Sequence, residues 1–177
     1  MSGADNAKAM NDLWDQHMAA EFGLRNPDLA VETMTEDAHV LLVPLMLGAA
    51  GREAVREFYA KHLCAQIPPE VEIVPISRTM GQDRLVDESV MRFTHSAPVE
   101  WLLPGIAPTG KRFQLAFVSV IQFKGGKISA EHIYWDQASV LLQAGLIDRS
   151  VPAMGAESAA QVQNPSQPMN VLLQRKR

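Results

Sequence analysis

The sequence predicts an α+β fold in which three N-terminal helices pack against a curved antiparallel sheet. Apolar residues recur at three- and four-residue intervals early in the chain, which is typical of helices that bury one side. After Pro68-Pro69 the interval changes to two, as expected of strands that bury one face. Helices followed by a meander of long strands indicate an α+β domain and not a parallel doubly wound sheet.

The first predicted helix ends near Phe22. Its buried side carries Ala7, Met10, Trp14, His17 and Met18. A second, short helix runs from Asn26 to about Met34, because Asn caps helices well and Pro-Asp suits the first turn. A third helix follows Gly51, with a buried side predicted to hold Val55, Phe58, Tyr59 and His62.

Five strands and a final helix are predicted from the same patterns. The strands cover residues 38–43, 71–80, 84–94, 112–123 and 127–136. The helix covers residues 137–144 and ends before Gly145. Residues 1–150 therefore form one predicted domain. Residues 151–177 are rich in Ala, Ser, Gln and Pro and are predicted to be a tail, either loosely ordered or packed on the domain or a partner subunit.

Composition excludes several classes of function. A net charge of -4 opposes binding to the phosphates of nucleic acids. Cys64 is the only cysteine, so it has no partner for an internal disulfide. The N-terminus lacks the basic and apolar segments of a secretory signal, and no apolar run is long enough for a membrane span. The sequence therefore predicts a cytoplasmic protein with no nucleic-acid or membrane partner.

A tight turn at Gly125-Gly126 determines which side chains of two long strands share a face. If Lys124 pairs with Lys127 and the pairing continues without interruption, one face carries Leu115, Phe117, Ser119, His132, Tyr134 and Asp136. This face has the composition of an apolar ligand cavity with a few polar groups. The opposite face carries Val118, Val120, Ile133 and Trp135 and is predicted to be a homodimer interface. A slip of one residue would exchange the two faces.

Asp136 is the main catalytic candidate, since burial in an apolar cavity raises a carboxyl pKa toward the range useful for proton transfer. The alternative is a helix N-cap, because a helix is predicted to begin at the next residue. His132 lies roughly 13 Å away along the strand and either polarises the far end of a substrate or is a hydrogen-bonded core histidine. Tyr134 either orients a substrate oxygen or fills the core.

Three more residues are candidates for substrate binding. His39 and His62 are expected to point inward, and Trp101 lies in a loop that is expected to cover the cavity mouth or to anchor that loop by packing. The chain has no HxH, HExxH or paired-cysteine motif, so no metal site is predicted. It also lacks a phosphate-binding glycine loop and a nucleophile elbow, which leaves acid/base chemistry without a cofactor, or no chemistry.

Three motifs in order resemble the SnoaL-like polyketide cyclase family of the nuclear transport factor two-like superfamily. They are Pro108-Thr-Gly-Lys111, Phe123-Lys-Gly-Gly-Lys-Ile128, and Glu131-His-Ile-Tyr-Trp-Asp136 followed by Leu141-Leu-Gln-Ala-Gly-Leu146. The resemblance covers about residues 7–147. It implies a cone-shaped, bent sheet wrapped around the three N-terminal helices and dimers through the outer sheet face. It also implies an acid/base role without cofactor for the aspartate that falls on Asp136. Relatives of this kind also include isomerases, dehydratases, epoxide hydrolases and inactive proteins.

The leading hypothesis is a cofactor-independent acid/base enzyme, of the cyclase, isomerase or dehydratase type, that acts on a small and largely apolar carbonyl compound. Asp136 would be the base, and His132 or Tyr134 would polarise the oxygen. The alternative is a module of the same fold that binds a small ligand or a second subunit and does no chemistry.

Overall fold

The computed structural model describes residues 3–174, and the fold has the predicted helices followed by strands. The helices are α1 (Gly3–Met18), α2 (Pro27–Glu32), α3 (Arg52–Phe58), α4 (Gln137–Ala144) and α5 (Ala156–Gln163). The strands are β1 (Met34–Leu42), β2 (Leu47–Ala50), β3 (Glu72–Met80), β4 (Arg84–Thr94), β5 (Arg112–Lys124) and β6 (Lys127–Trp135). Both α1 and α3 continue into a wider π-helical turn, at Ala19–Gly23 and Tyr59–Leu63 respectively.

All six strands belong to one sheet with the order β2-β1-β6-β5-β4-β3. The pairs are antiparallel except that β1 runs parallel to β6, so the sheet is mixed and not wholly antiparallel as predicted. The strand β1 begins at Met34, where the sequence predicts the second helix to end. The short strand β2 is absent from the prediction, since only four residues with two alanines and a glycine give no clear alternation.

The β5–β6 hairpin contains a bulge that changes which residues share a face. Lys124 pairs with Lys127 as predicted, and Phe123 pairs with Ile128, but Gln122 then pairs with Ala130. Ser129 is the extra residue of this bulge. The predicted faces are therefore correct for β5 and wrong for β6 beyond Ser129, because one extra residue moves every later side chain to the other side of the sheet.

The inner face of the sheet packs on the N-terminal helices and forms the core. The inner pairs after the bulge are Ile121 with Glu131, Ser119 with Ile133, and Phe117 with Trp135. The largest fully buried side chains of the described residues include Trp14 and Tyr59 from the helices. The helices thus supply aromatic groups to one side of the core, and the sheet supplies aliphatic and aromatic groups to the other.

The segment that follows residue 150 includes α5, which packs on β5 and α4. Ala159 of α5 is fully buried, and Arg92 Nη2 on β4 donates to Gln163 Oε1 at 2.6 Å. The C-terminal segment up to residue 174 is thus laid partly over the domain, and the last three residues of the predicted tail lie outside the described residues. Within residues 3–174, no helix has both the length and the apolar character needed to cross a membrane.

Candidate active site

A cavity of about 60 Å³ lies between the helices and the inner face of the sheet. This volume suits a small ligand group or a few waters, given about 10–15 Å³ of such space for one water. Aromatic and aliphatic side chains form most of its wall, including Trp14, Phe22, Val40, Leu63, Met91, Trp101, Phe117 and Ile133. The polar members of the wall are Glu21, Ser89, Ser119 and Glu131.

A buried cluster of titratable groups adjoins this cavity. His17 Nε2 lies 3.0 Å from Glu131 Oε1 and 3.3 Å from Glu21 Oε1. The hydroxyl of Tyr59 donates to Glu131 Oε1 at 3.3 Å. All four side chains are buried, and three separate parts of the chain bring them together: the end of α1, the end of α3 and the middle of β6. Buried carboxyl groups without a full set of partners are common in functional sites.

The two π-helical turns carry two members of the cluster. Glu21 lies within the turn that ends α1, four residues after His17, and Tyr59 begins the turn that ends α3. A π turn contains one more residue per turn than the α-helix and therefore rotates the side chains that follow it. Glu21 follows His17 by four residues, and both side chains reach the same point at the end of this helix.

Hydrogen bonds at Nδ1 hold the ring of His17 in one orientation. Its Nδ1 lies 2.7 Å from Thr33 Oγ1 and 3.1 Å from the carbonyl oxygen of Ala30. Because Thr33 Oγ1 donates its own hydrogen to the Ala30 carbonyl, both neighbours are acceptors, and Nδ1 must carry a hydrogen. The ring also stacks on Trp14, with centroids 5.5 Å apart and planes 12° apart. Nε2 is therefore the atom that faces the two carboxyl groups.

The environment separates the pKa values of these groups. Burial opposes a charge on His17, but Glu131 and Glu21 outweigh it and raise the pKa of His17 well above its usual value. Burial raises the pKa of Glu21, and His17 opposes this shift only in part. Burial, Glu131 and Glu21 together raise the pKa of Tyr59, so its hydroxyl remains a donor. The charged form of His17 is therefore favoured between the two carboxyl groups, and Glu21 holds its proton more strongly than an exposed glutamate does, because its pKa is raised.

Two polar atoms of cavity-lining residues have no hydrogen-bond partner among residues 3–174. They are Glu21 Oε1, which is close to His17 without hydrogen-bond geometry, and the indole Nε1 of Trp101. A buried polar atom without a partner is costly, and such an atom in a native structure is frequently met by a ligand or a water. Glu21 Oε1 thus offers a hydrogen-bond acceptor to a ligand, and the Trp101 indole N–H offers a donor.

Some of the predicted binding residues lie at this cavity. Phe117 and Ser119 on β5 line it, and so does Trp101, which is buried beneath its loop and packs edge-on against Trp135. Leu115 lies on the same inner face and is buried in the core, but it does not line the cavity.

The predicted orientation of Asp136, His132 and Tyr134 toward the cavity is wrong. The bulge at Ser129 turns His132 and Tyr134 to the outer face, where they pair with Val120 and Val118. Asp136 is exposed and caps α4, with its carboxylate accepting from the Ala138 backbone N–H at 2.9 Å. The structure thus agrees with the alternative interpretation of Asp136 as a helix cap.

His39 and His62 also lie outside the cavity. His39 is on the outer side of β1, and its Nε2 is 3.0 Å from Nε2 of His132. Partial burial, with smaller contributions from His39 and Arg84, lowers the pKa of His132. His62 is exposed because the π turn in which it lies places Leu63 on the buried side instead.

The four residues predicted to form the dimer surface lie on opposite faces of the sheet, because the bulge reverses the direction of those on β6. Val118 and Val120 lie on the outer face and are half-buried. Ile133 and Trp135 face inward, Ile133 as part of the cavity wall and Trp135 within the core.

The residues that form the cluster carried weaker signals in the sequence. His17 falls on the predicted buried side of α1, and Glu21 follows it at the four-residue spacing that brings two side chains together on a helix. Glu21 also stands between Ala20 and Phe22, an apolar setting for a carboxylate. Glu131 could not be found, because its inward direction depends on the bulge.

A family model described as a SnoaL-like domain matches residues 14–131, about two thirds of the chain. No curated protein matches this sequence.

Solved structures share the fold at low sequence identity. A proposed SnoaL-like polyketide cyclase from Jannaschia sp. CCS1 has a TM-score of 0.64 and 20% identity, over 82% of this chain and 94% of that one. A nuclear transport factor two-like protein of unknown function from Burkholderia pseudomallei has a TM-score of 0.57 and 18% identity, over 81% of this chain and 98% of that one. A proposed ketosteroid isomerase from Kribbella flavida has a TM-score of 0.53 and 11% identity, over 74% of this chain and 80% of that one. The fold of this chain is thus nuclear transport factor two-like.

Proposed function

The chain belongs to the SnoaL-like domain family, and we propose that it is a cofactor-independent acid/base enzyme whose reacting groups are Glu131 and Glu21. The observation that carries the proposal is the convergence of both carboxyl groups on one buried imidazole at the wall of an apolar cavity. Two nearby carboxyl groups that hold protons with different strength are suited to act as a base and an acid.

The preferred substrate is a small, largely apolar carbonyl compound. The wall is mostly aromatic and aliphatic, so it favours an uncharged body over a charged one. Its polar groups are few and are concentrated at Glu21 and Glu131, where a carbonyl group and the carbon next to it would be placed.

In the proposed reaction, the Glu131 carboxylate removes a proton from the carbon next to the carbonyl. The electron pair of that C–H bond forms a carbon–carbon double bond, and the carbonyl oxygen takes the proton of the neutral Glu21 carboxyl group. The product of this step is an enol. Return of a proton from Glu131 to the same carbon or to a conjugated one, with the hydroxyl proton returning to Glu21, completes an exchange or an isomerisation.

Two residues serve as positioning groups in this scheme. The His17 imidazolium neutralises the charge of Glu131, and the Tyr59 hydroxyl fixes one of its oxygens. Both groups would stabilise negative charge on Glu131 inside an apolar cavity, where charge is otherwise costly. They also hold it in a fixed direction, which favours proton transfer to and from one point.

The experiment is deuterium exchange into a panel of small cyclic and open-chain ketones in D₂O, followed by NMR. We expect the wild-type protein to accelerate exchange of at least one ketone, and Glu131→Gln to lower that rate about 100-fold or more. Asp136→Asn is the matched carboxyl-to-amide control and is expected to keep the wild-type rate. Wild-type rates in folded Glu131→Gln would refute the role of Glu131.

A second candidate function is ligand binding without chemistry, and the unpartnered atoms Glu21 Oε1 and Trp101 Nε1 favour it. A compound with both a donor and an acceptor would satisfy both atoms without any proton leaving carbon. Binding of a ketone from the same panel, seen by NMR line broadening with no exchange above the buffer rate, would support this function over catalysis.

A further inference from the structure

We infer that His17, Glu21 and Glu131 also form a binding site for one divalent first-row transition cation, with Zn²⁺ as the representative ion. The donor atoms would be His17 Nε2 and one carboxylate oxygen from each glutamate. These atoms all lie within 4.8 Å of one another, and each residue is buried.

The distances between the donor atoms are close to those of a metal centre. His17 Nε2 is 3.3 Å from Glu21 Oε1 and 3.0 Å from Glu131 Oε1. Two donors that each lie about 2.0–2.2 Å from one ion are separated by roughly 3–3.5 Å in tetrahedral or octahedral geometry. The donor oxygens of the two glutamates lie within 4.8 Å of each other, so all three donor atoms surround one point.

The imidazole already has the surroundings of a metal ligand. Its Nδ1–H is directed at the Ala30 carbonyl and Thr33 Oγ1, which leaves Nε2 free to face the ion. A hydrogen bond of this kind from the remote ring nitrogen is the usual support of a metal-binding histidine, since it fixes the tautomer and the ring direction. Tyr59 supplies a comparable support to Glu131.

Charge and hydrogen bonding both favour a cation at this point. Binding would release the Nε2 proton of His17 and the carboxyl proton of Glu21 to solvent, and the resulting two carboxylates and neutral imidazole would balance the charge of a divalent ion. Glu21 Oε1 is buried with no hydrogen-bond partner among the described residues, so it has an unused electron pair. An ion bound there would satisfy that oxygen, and the adjacent cavity would leave room for a water or a substrate oxygen as a further ligand.

The donor set selects the class of cation. One imidazole nitrogen with two carboxylate oxygens suits Zn²⁺, Fe²⁺ or Mn²⁺, whereas Mg²⁺ and Ca²⁺ prefer oxygen donors and a larger number of them. We therefore expect Zn²⁺ to bind much more tightly than Mg²⁺.

The His39–His132 pair is a competing place for an added ion, because its two Nε2 atoms are 3.0 Å apart on the outer face. The pair offers no carboxylate within the same group of donors in the described part of the chain. A test must therefore separate the buried cluster from this surface pair.

The experiment is a titration of chelator-treated, metal-free protein with ZnCl₂ in competition with a chromophoric chelator. The wild-type protein is expected to bind one Zn²⁺ per chain. Glu21→Gln and Glu131→Gln keep the side-chain size and remove a donor charge, and each is expected to raise the Kd at least about 10-fold. His132→Gln removes half of the surface pair and is expected to keep the wild-type Kd.

The inference is overturned if the wild-type protein binds no Zn²⁺, if the folded glutamine variants bind as tightly as wild type, or if His132→Gln alone abolishes binding. Circular dichroism shows whether each variant is folded, and Co²⁺ absorption in the visible range reports directly on a nitrogen and oxygen donor set. The titration contains no ketone, and the deuterium-exchange assay is run with chelator present. Failure of one proposal therefore leaves the other standing.

Discussion

Glu21 shows how a single residue relates burial, protonation and stability. Burial raises its pKa above the usual value of 4.5, so the folded chain keeps this proton at a pH where the unfolded chain has lost it. Folding then takes up a proton, and the free energy of unfolding decreases as pH rises above 4.5 until pH passes the raised pKa. His17 contributes stability that is complete below its usual pKa of 6.5 and is lost as pH rises through its raised value.

We expect the stability of Glu21→Gln relative to wild type to increase as pH rises from 4.5 toward the raised pKa of Glu21 and to level off beyond it. Well below pH 6.5 His17 is protonated in both the folded and the unfolded chain, so the change there comes from Glu21. The gain should approach about 1.4 kcal/mol per pH unit, measured by urea unfolding at several pH values. A stability difference that stays constant with pH would contradict a raised pKa for Glu21.

Because Asp136 caps α4 and lies outside the cavity, its substitution should lower the stability of the protein without changing the exchange rate of a ketone. We expect Asp136→Ala to lower the free energy of unfolding by about 1 kcal/mol, because the Ala138 N–H loses its acceptor. Asp136→Asn keeps a capping oxygen and should cost less. Thermal and urea unfolding measure both. Loss of ketone exchange in a folded Asp136→Asn variant would restore Asp136 as the catalytic candidate.

The sequence was informative about residue type and poor about direction. Phe117, Ser119 and Trp101 were correctly expected at a cavity, since residues of β5 keep their predicted alternation. Residues of β6 were assigned to the wrong side, because a single inserted residue is invisible in a pattern of alternating side chains. Glu131, which uninterrupted pairing would place on the outer face, therefore lies at the cavity in place of His132.

At the scale of elements, the bulge at Ser129 determines the composition of the site. Because Ser129 has no partner and Ala130 pairs with Gln122, Glu131 faces inward and His132 outward. Regular pairing of the same sequence would exchange these two residues. The π turns that follow α1 and α3 carry Glu21 and Tyr59, so an irregular part of each of the three elements lies next to the cluster.

Deletion of Ser129 is expected to leave the two faces of β6 unchanged. Without the extra residue, Ile128 still pairs with Phe123 and Ala130 with Gln122, so Glu131 stays inside and His132 stays outside. We therefore expect a folded variant that loses about 1 kcal/mol, the value of the hydrogen bond from Ser129 to the Gln122 carbonyl. Thermal unfolding and circular dichroism measure this. Ser129→Ala is the control, since it keeps the bulge and loses only that hydrogen bond, and an unfolded deletion variant beside a stable Ser129→Ala would contradict this register.

For the whole molecule, the order of elements was predictable and the exact sheet was not. Long strands with clear alternation, such as β4 and β5, were found with nearly correct ends. The parallel pairing of β1 with β6 brings together residues that are far apart in sequence, and nothing in either strand signals this partner. The fold was therefore predictable from its regular parts.

The outer sheet face remains our proposed homodimer surface, with revised members. Val86 and Tyr134 are 38% and 42% exposed, and they adjoin Val118 and Val120, whereas α5 covers another part of the sheet. We expect a species of about twice the chain mass of 19.5 kDa in light scattering after gel filtration. Tyr134→Glu should give the chain mass, because a buried charge would be unpaired, and exposed Glu157→Gln should not. A monomeric wild-type protein would exclude the dimer.

At the buried cluster the helical layer and the sheet are joined by polar and charged contacts in addition to apolar packing. His17 and Tyr59 come from the helical layer, and Glu131 comes from the sheet. A ligand that alters the charges in this cluster would therefore also alter the electrostatic attraction between the helices and the sheet. The same few atoms are therefore expected to determine both the affinity for a ligand and the attachment of the helices to the sheet. Occupation of the cavity should then slow the separation of the helices from the strands.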